Sequence, residues 1–416
     1  MKVPIVVLTS LLVLAATAVA GEFPLPADLP PAAAVEQALA IHPQVRGAQS
    51  ELRGAEAERA RLKAGDHEYS LRLATQRRSI SGGPEHMEWS AGLERGLRLG
   101  GKADLDARIG EQGVLEAGER VGDARHEAAR QLLGLWYGAR QAGLEARLWR
   151  QQTALLEDQK RIVDTRVKRG DAARLETLQA EAALAQAQSQ AVVAEAREKT
   201  ALTELKARFP ELPSPDEIEA VPAPPEGNAA VWLEHTLEHN HELLAARRAL
   251  DKARLLTRRA EAERTPDPTL GLHLASEQGG NDRIIGVSLA LPLPGEGRRA
   301  QAEMRQAQAE TLAEREAAVR RRLAAEAGAN WQRAAAGVES WRRLEEAAQA
   351  VGRHADLARR AHALGELGLS ETLIARRAAL EARLAAGQAR LAANEAIARL
   401  LLDAHRLWPL DGGDHH

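Results

Sequence analysis

The chain has 416 residues, 3% of them aromatic, no cysteine and a formal net charge of −3. Without cysteine there is no disulfide framework and no thiolate metal site. The small net charge offers nothing to a nucleic-acid or anionic-lipid partner, while the abundance of alanine, arginine, glutamate and leucine is typical of long packed helices.

The first residues, MKVPIVVLTSLLVLAATAVAGEF, combine a basic start at Lys2, an apolar core over 5–14 and the small residues Ala18, Val19 and Ala20. This predicts a secretory signal peptide over 1–20, cut after Ala20; the apolar core is short for a membrane anchor. No cysteine stands beside that cut to accept lipid, so the exported chain is expected to be non-lipidated. No later segment approaches an apolar run of about 18 residues.

The rest of the chain is written twice. ALAIHPQVRGAQ (38–49) parallels TLEHNHELLAAR (236–247), and RGDAARLETLQAEAAL (169–184) parallels LGELGLSETLIARRAAL (364–380). The shift is 198 residues in the first pair and 195 in the second, read from Leu39 against Leu237 and Gly170 against Gly365. Such a fixed period signals a duplicated unit. The expected organisation is a first repeat over 21–208, a proline-rich extended linker over 209–228, a second repeat over 229–405 and a tail over 406–416.

In chain order, each repeat reads as a short entry helix, two strands, a long helix, a glycine turn and a return helix. The entry helices are predicted over about 44–64 and 241–263. The strands are HEYSLRLATQ (67–76), MEWSAGLERGLRL (87–99), TLGLHLAS (269–276) and RIIGVSLALPL (283–293). They alternate apolar and polar residues: Tyr69, Leu71 and Leu73 oppose Glu68, Ser70 and Arg72, and Leu270, Leu272 and Leu274 oppose Gly271 and His273. Arg95 interrupts the apolar face of the second strand. Ten-residue alternating strands suit a transmembrane barrel, although a half-buried soluble sheet alternates identically. Topology separates the two: four strands leave open edges, and a barrel needs at least eight, so strands pooled from several copies resolve the problem.

No proline lies between Pro84 and Pro210 or between Pro294 and Pro409, and long helices are predicted over about 102–168 and 298–364. Each would run roughly 100 Å at 1.5 Å per residue. The larger apolar residues of the second, Leu312, Val319, Leu323, Trp331, Val338, Trp341, Leu344 and Val351, predict a heptad-like seam. Return helices follow over about 175–206 and 369–405, which the entry helices would extend end to end.

Taken together, the duplicated plan, the strand-to-helix signature VSLALPLPGEGRRA with its counterpart GLERGLRLGGKADL, and the paired turns VKRGDAARLETLQAE and HALGELGLSETLIAR resemble the TolC family of outer-membrane efflux channels. The resemblance covers nearly all of the mature chain. The fold class it implies is mainly α with a small β part: a long α-helical barrel reaching into the periplasm plus a shared transmembrane β-barrel, four strands per protomer. It further implies a homotrimer in outer-membrane lipid, with helical tips that meet a periplasmic adaptor protein and, through it, an inner-membrane efflux pump of the RND type. The compact length, short strand loops and lack of a lipidation cysteine look most like the CzcC-type branch that serves heavy-metal exporters.

On this resemblance Arg169, Gly170, Leu175 and Leu178 would form one adaptor-contact tip, and Leu364, Gly365, Leu369 and Leu373 the other. The first turn is the more charged, so contact is expected mainly on the second. Gly170 and Gly365 also suit left-handed helix C-caps. Glu176 and Glu371 complement the dipoles of the return helices, and the resemblance implies that they line the pore near its closed end, with His362 as a gating side chain. His235 and His239, at i and i+4, form a candidate metal pair that lacks further ligands; the DGGDHH tail is a second such candidate. No nucleophile elbow, phosphate loop or nucleic-acid footprint occurs, so neither catalysis nor a cofactor is expected. The alternatives left open are the same duct carrying drugs or type I secreted proteins, and a soluble periplasmic coiled-coil scaffold.

Overall fold

A computed structural model describes residues 25–79 and 81–410. The expected signal peptide, with its cleavage position, and residues 411–416 of the tail lie outside the described residues. Each repeat holds two entry helices where sequence reading expects one. α1 (Ala32–Ile41) and α2 (Pro43–Ala64) lead to strands β1 (Ser70–Ser79) and β2 (Glu85–Gly96), then to the long α3 (Lys102–Arg169) and the return helix α4 (Arg174–Arg208). α5 (Ala229–His239), α6 (His241–Glu263), β3 (Thr269–Glu277), β4 (Asp282–Ala290), α7 (Glu296–Leu364) and α8 (Leu369–Asp403) repeat the plan. The breaks that create α1 and α5 fall at equivalent residues. His42 is extended before Pro43, as a residue preceding proline prefers. Asn240 is extended too, and its side chain accepts the Leu243 N–H at 2.9 Å as an N-cap.

The helices form one layer. α2 and α4 share one side of α3: Arg59 closes on Gly110, and Arg197 reaches Glu145 at 3.0 Å. α6 and α8 share the other side. Arg259 meets Asp106 at 2.7 Å and Lys252 meets Glu116 at 3.3 Å near the start of α3. Farther along, Gly387 of α8 sits against Leu144. α7 packs on α6, α8 and α5. Return and entry helices thus continue one another along α3, and the layer ends on α2 and α4 at one flank and on α7 at the other.

The seam of α7 differs from the predicted one. Buried on it are Ala302, Ala327, Ala334, Ala348, Ala355 and Ala358, with only Leu323 and Val338 from the larger set. Leu312, Val319, Trp331, Trp341, Leu344 and Val351 are half-buried at its margin. Small side chains let helices approach closely, which leaves the larger residues no room between them.

Around the middle of the helices, the linker after α4 is laid down as a strap. Phe209 and Leu212 are fully buried, Arg140 donates to the Asp216 carbonyl at 2.6 Å, and Asn394 donates to that of Ala220 at 3.1 Å. Beneath it lies buried Asp28, which accepts the Tyr137 hydroxyl at 3.0 Å and the Asn394 amide at 3.2 Å, while its carbonyl accepts the Trp136 indole at 2.8 Å. No helix among the described residues is long and apolar enough to cross a membrane.

The four strands form one antiparallel sheet in the order β1-β2-β3-β4. Register places Leu71, Leu93, Leu272 and Val287 in one row across it, and Leu73, Ala91, Leu274 and Ile285 in the next. The strand limits depart from the sequence expectation for identifiable reasons. Pro292 and Pro294 have no N–H for a ladder, so β4 stops at Ala290. Arg98 leaves β2 to donate to the Leu62 and Lys63 carbonyls at 2.8 and 2.9 Å, closing the C-terminus of α2.

Where sheet meets helix, Lys102 opens α3 fully buried. Its ammonium donates to the Thr265 carbonyl and to Asp267 Oδ1, both at 2.7 Å. Asp267 also accepts the Leu99 N–H at 3.1 Å and faces His67 Nε2 at 3.1 Å. Burial works against the Asp267 charge, but the bonds from Lys102, His67 and Leu99 outweigh it and hold its pKa at about 2. A folded-state pKa below the unfolded one stabilises the fold above the unfolded value, and that gain is lost as pH falls toward 2. The loss should be about 2 kcal/mol from this residue. In acid-titrated thermal melts, Asp267→Asn should start less stable, because it strands a buried Lys102, and should lose less stability between pH 5 and pH 2; equal acid dependence in both proteins would remove Asp267 as the anchor.

Candidate functional site

The sheet presents two unlike faces. Exposed on one are Leu71, Leu73, Leu93, Leu272, Leu274, Ile285, Val287 and Leu289, with Ile285 at 83% and Val287 at 72%. Tyr69 and Trp89 stand near opposite ends of this face; Thr75 is the partner of Trp89, so the two aromatics are roughly 20 Å apart along the strand at 3.3 Å per residue. Arg95, which interrupts the face, stacks on the Tyr69 ring at 4.6 Å and donates to its hydroxyl at 3.1 Å. The interruption therefore lies at the helix end of the sheet, outside the apolar field.

The other face is polar and crowded. A Cβ on Gly271 would lie 2.5 Å from Ser288 Oγ and 3.0 Å from Glu94 Cγ. Glu88 is buried there, paired with Arg78 at 3.0 Å and hydrogen-bonded by Gln76 at 2.8 Å. Crowding on the polar side and openness on the apolar side are what a sheet curled toward its polar face produces. β1 and β4 each have one unpaired edge within the protomer.

At the far ends of the long helices the two turns are built alike. Gly170 (φ 83°) and Gly365 (φ 78°) are left-handed C-caps, and their N–H groups bond the Val167 and His362 carbonyls, both at 3.0 Å. Glu176 and Glu371 occupy the third position of α4 and α8, where a carboxylate meets the positive end of the helix. Glu371 is exposed and folds back over Gly368. Glu176 is half-buried, with Oε2 shielded and accepting no hydrogen bond.

The structure divides the predicted tip residues. Arg169, Gly170, Leu175, Leu178, Leu364 and Gly365 are exposed. Leu369 is 2% exposed and turns inward onto Val163 and Ala180, with Leu373 packed beside it. These two join one hairpin to the other, Leu369 fully and Leu373 with part of its side chain. Ile374, which the sequence reading passed over, is 68% exposed; its signal was an apolar residue directly after Leu373. His362 is enclosed as well. Its Nδ1–H donates to the Leu367 carbonyl at 3.0 Å, and Arg166 donates to Nε2 at 3.4 Å. The ring braces the two turns rather than standing free at an opening.

His235 and His239 are not assembled as a metal pair. His235 Nε2 accepts from Arg406 at 2.8 Å, while His239 Nδ1 faces the His235 carbonyl at 3.4 Å. The imidazoles brought together are His126, His241 and His405, which no local sequence pattern links.

No protein-family model and no curated protein sequence matches the chain. Solved structures do. The Campylobacter jejuni CmeC outer membrane channel aligns with a TM-score of 0.74 at 15% identity, over 90% of this chain and 85% of that one. The outer membrane protein VceC of Vibrio cholerae gives 0.74 at 15% identity, over 90% and 99%. A membrane protein from Pseudomonas aeruginosa gives 0.72 at 18% identity, over 94% and 93%. The fold is thus that of outer-membrane channels, mainly helical with a small antiparallel sheet.

The division of tip residues is testable. Leu369→Ala should cost about 2–5 kcal/mol as a buried truncation and should speed amide exchange in 163–180 and 358–375. Leu175→Ala and Leu178→Ala, at exposed positions, should leave exchange at the tips unchanged. Equal protection in all three variants would contradict the inward placement of Leu369.

Proposed function

We propose that the chain is the protomer of an outer-membrane exit duct. The carrying observation is the exposed apolar face of the sheet, bounded by two unpaired edges and continued by helices about 100 Å long at 1.5 Å per residue. Such a face belongs in lipid, and such edges belong against other strands. Three copies joined edge to edge would pool twelve strands, a size that closes as a membrane barrel. The same joining brings the α7 flank of one copy against the α2 and α4 flank of the next. The duct is passive: its substrate comes from an inner-membrane pump through a periplasmic adaptor that meets the tips.

In this reading the adaptor-facing tip surface is Arg169, Gly170, Leu175, Leu178, Leu364, Gly365 and Ile374. Glu371 and Glu176 line the narrow end, and His362 holds the two turns in place. Heavy-metal cations are the proposed cargo, supported by the compact length and short strand loops shared with the CzcC-type branch.

Leu71→Arg and Val287→Arg, in one row of the apolar field, should impair membrane assembly more than Arg72→Leu or Ser288→Ala, because a lipid-facing charge costs roughly 2–4 kcal/mol at mid-membrane. Equal assembly of all four would remove the face assignment. Gly365→Val disfavours the left-handed cap by about 1 kcal/mol or more; export should fail while the amount of assembled channel stays normal. Glu371→Gln should lower cation selectivity and weaken block by multivalent cations in single-channel recordings. Unchanged conduction would leave Glu371 a dipole partner only.

A further inference from the structure

The middle of the helical layer holds three imidazoles that a passive duct does not require. His126 lies on α3, His241 is the first residue of α6, and His405 follows the end of α8. One ring nitrogen from each lies within 4.8 Å of the others. His126 Nε2 and His405 Nδ1 are 3.2 Å apart, and the His241 ring centre is 5.2 Å from that of His405 and 5.5 Å from that of His126.

Three features around the cluster are built to hold these rings. Glu119 Oε2 lies 2.9 Å from His241 Nδ1. A carboxylate there accepts a hydrogen bond from Nδ1–H and so fixes the tautomer that carries its lone pair on Nε2, the usual outer partner of a metal-bound histidine. Gly122 is a buried glycine in the interior of α3, a position where alanine would favour the helix. A Cβ at Gly122 would lie 2.5 Å from Cγ, Cδ2 and Nε2 of His241, so the glycine makes room for that ring. His405 has a φ of 57°, a left-handed conformation uncommon outside glycine, and its N–H bonds the Leu402 carbonyl at 3.0 Å. The chain turns there in a way that brings the ring back onto α3.

We infer that His126, His241 and His405 form a binding site for a first-row divalent transition cation such as Zn²⁺. Imidazole suits zinc, nickel and copper, and three histidines with an open fourth position are a known zinc arrangement. Zinc–nitrogen bonds near 2.0–2.1 Å set tetrahedral ligand nitrogens about 3.4 Å apart. The His126–His405 pair already stands at 3.2 Å, and a His241 ring nitrogen lies within 4.8 Å of both. The ion would clamp the start and the end of the second repeat to the long helix of the first, where α6 and α8 meet beside α3. The site is independent of the cargo and of the proposed duct.

The test uses the full chain, purified in detergent, stripped with EDTA and titrated with Zn²⁺ and then Co²⁺. His415→Ala and His416→Ala are placed in every protein so that the tail contributes no imidazole. The expected result is one ion per chain and the visible d–d bands of four-coordinate Co²⁺. His126→Ala, His241→Ala and His405→Ala should each abolish those bands. Glu119→Gln and Gly122→Ala, which leave all three ligands present, should weaken binding by roughly 10–100-fold. Saturating Zn²⁺ should raise the melting temperature of the starting protein, as any ligand of the folded state does, and should not raise that of the three-histidine variant, in which His126, His241 and His405 are all replaced by alanine. Absence of cobalt bands in the starting protein would overturn the site, as would equal affinity in the starting protein and the three-histidine variant. If the alanine variants do not fold, unchanged affinity in Glu119→Gln and Gly122→Ala overturns it equally.

Discussion

The structure depends on a sheet that one chain cannot finish. Its β1 and β4 edges carry backbone N–H and C=O groups with no partners in the protomer, and one face carries a broad exposed apolar field. Water satisfies the edges but not the face; lipid satisfies the face but not the edges. Only closure with further strands inside a membrane satisfies both. The helical layer is open on the same two flanks, with half-buried tryptophan, leucine and valine waiting along α7. Sheet and helices therefore call for the same joining of copies.

The remaining features keep that open unit in shape. The buried Lys102–Asp267 pair fixes the angle at which strands pass into helices. Such a pair gains little over an apolar contact, but breaking it is costly, so it serves geometry more than stability. The strap after α4 and the Asp28 network bind the middle of the helices. At the far end, Leu369 and His362 tie the two hairpins into one tip. Rigid helices held at both ends and in the middle carry the tips at a fixed distance from the sheet.

The periodic features were legible in the sequence. Alternation in the strands predicted which residues share a face, and the recurrence of Gly170 as Gly365 located both turns. What was not legible depended on contacts made across the chain. Arg98 reads as one more strand residue until the α2 carbonyls it caps are in view. The large residues of α7 read as a seam, whereas the protomer uses alanines there and leaves the large ones at its margin. Leu369 looks like Leu364 in sequence but faces the other hairpin. His235 and His239 are a local pattern, whereas His126, His241 and His405 converge from the interior of one helix and the ends of two others and register only in three dimensions.

The most direct test is edge-to-edge cross-linking in native outer membranes. With no native cysteine, a cysteine at Ala74 of β1 can be combined with one at Ile284, Gly286 or Ser288 of β4. Within one chain these strands are separated by two others, about 14 Å apart at 4.8 Å per strand, too far for a disulfide to form. The account predicts that at least one pair oxidises to a covalent trimer. Oxidation that yields only monomers for every pair, in membranes that contain the protein, would contradict closure of the sheet between copies.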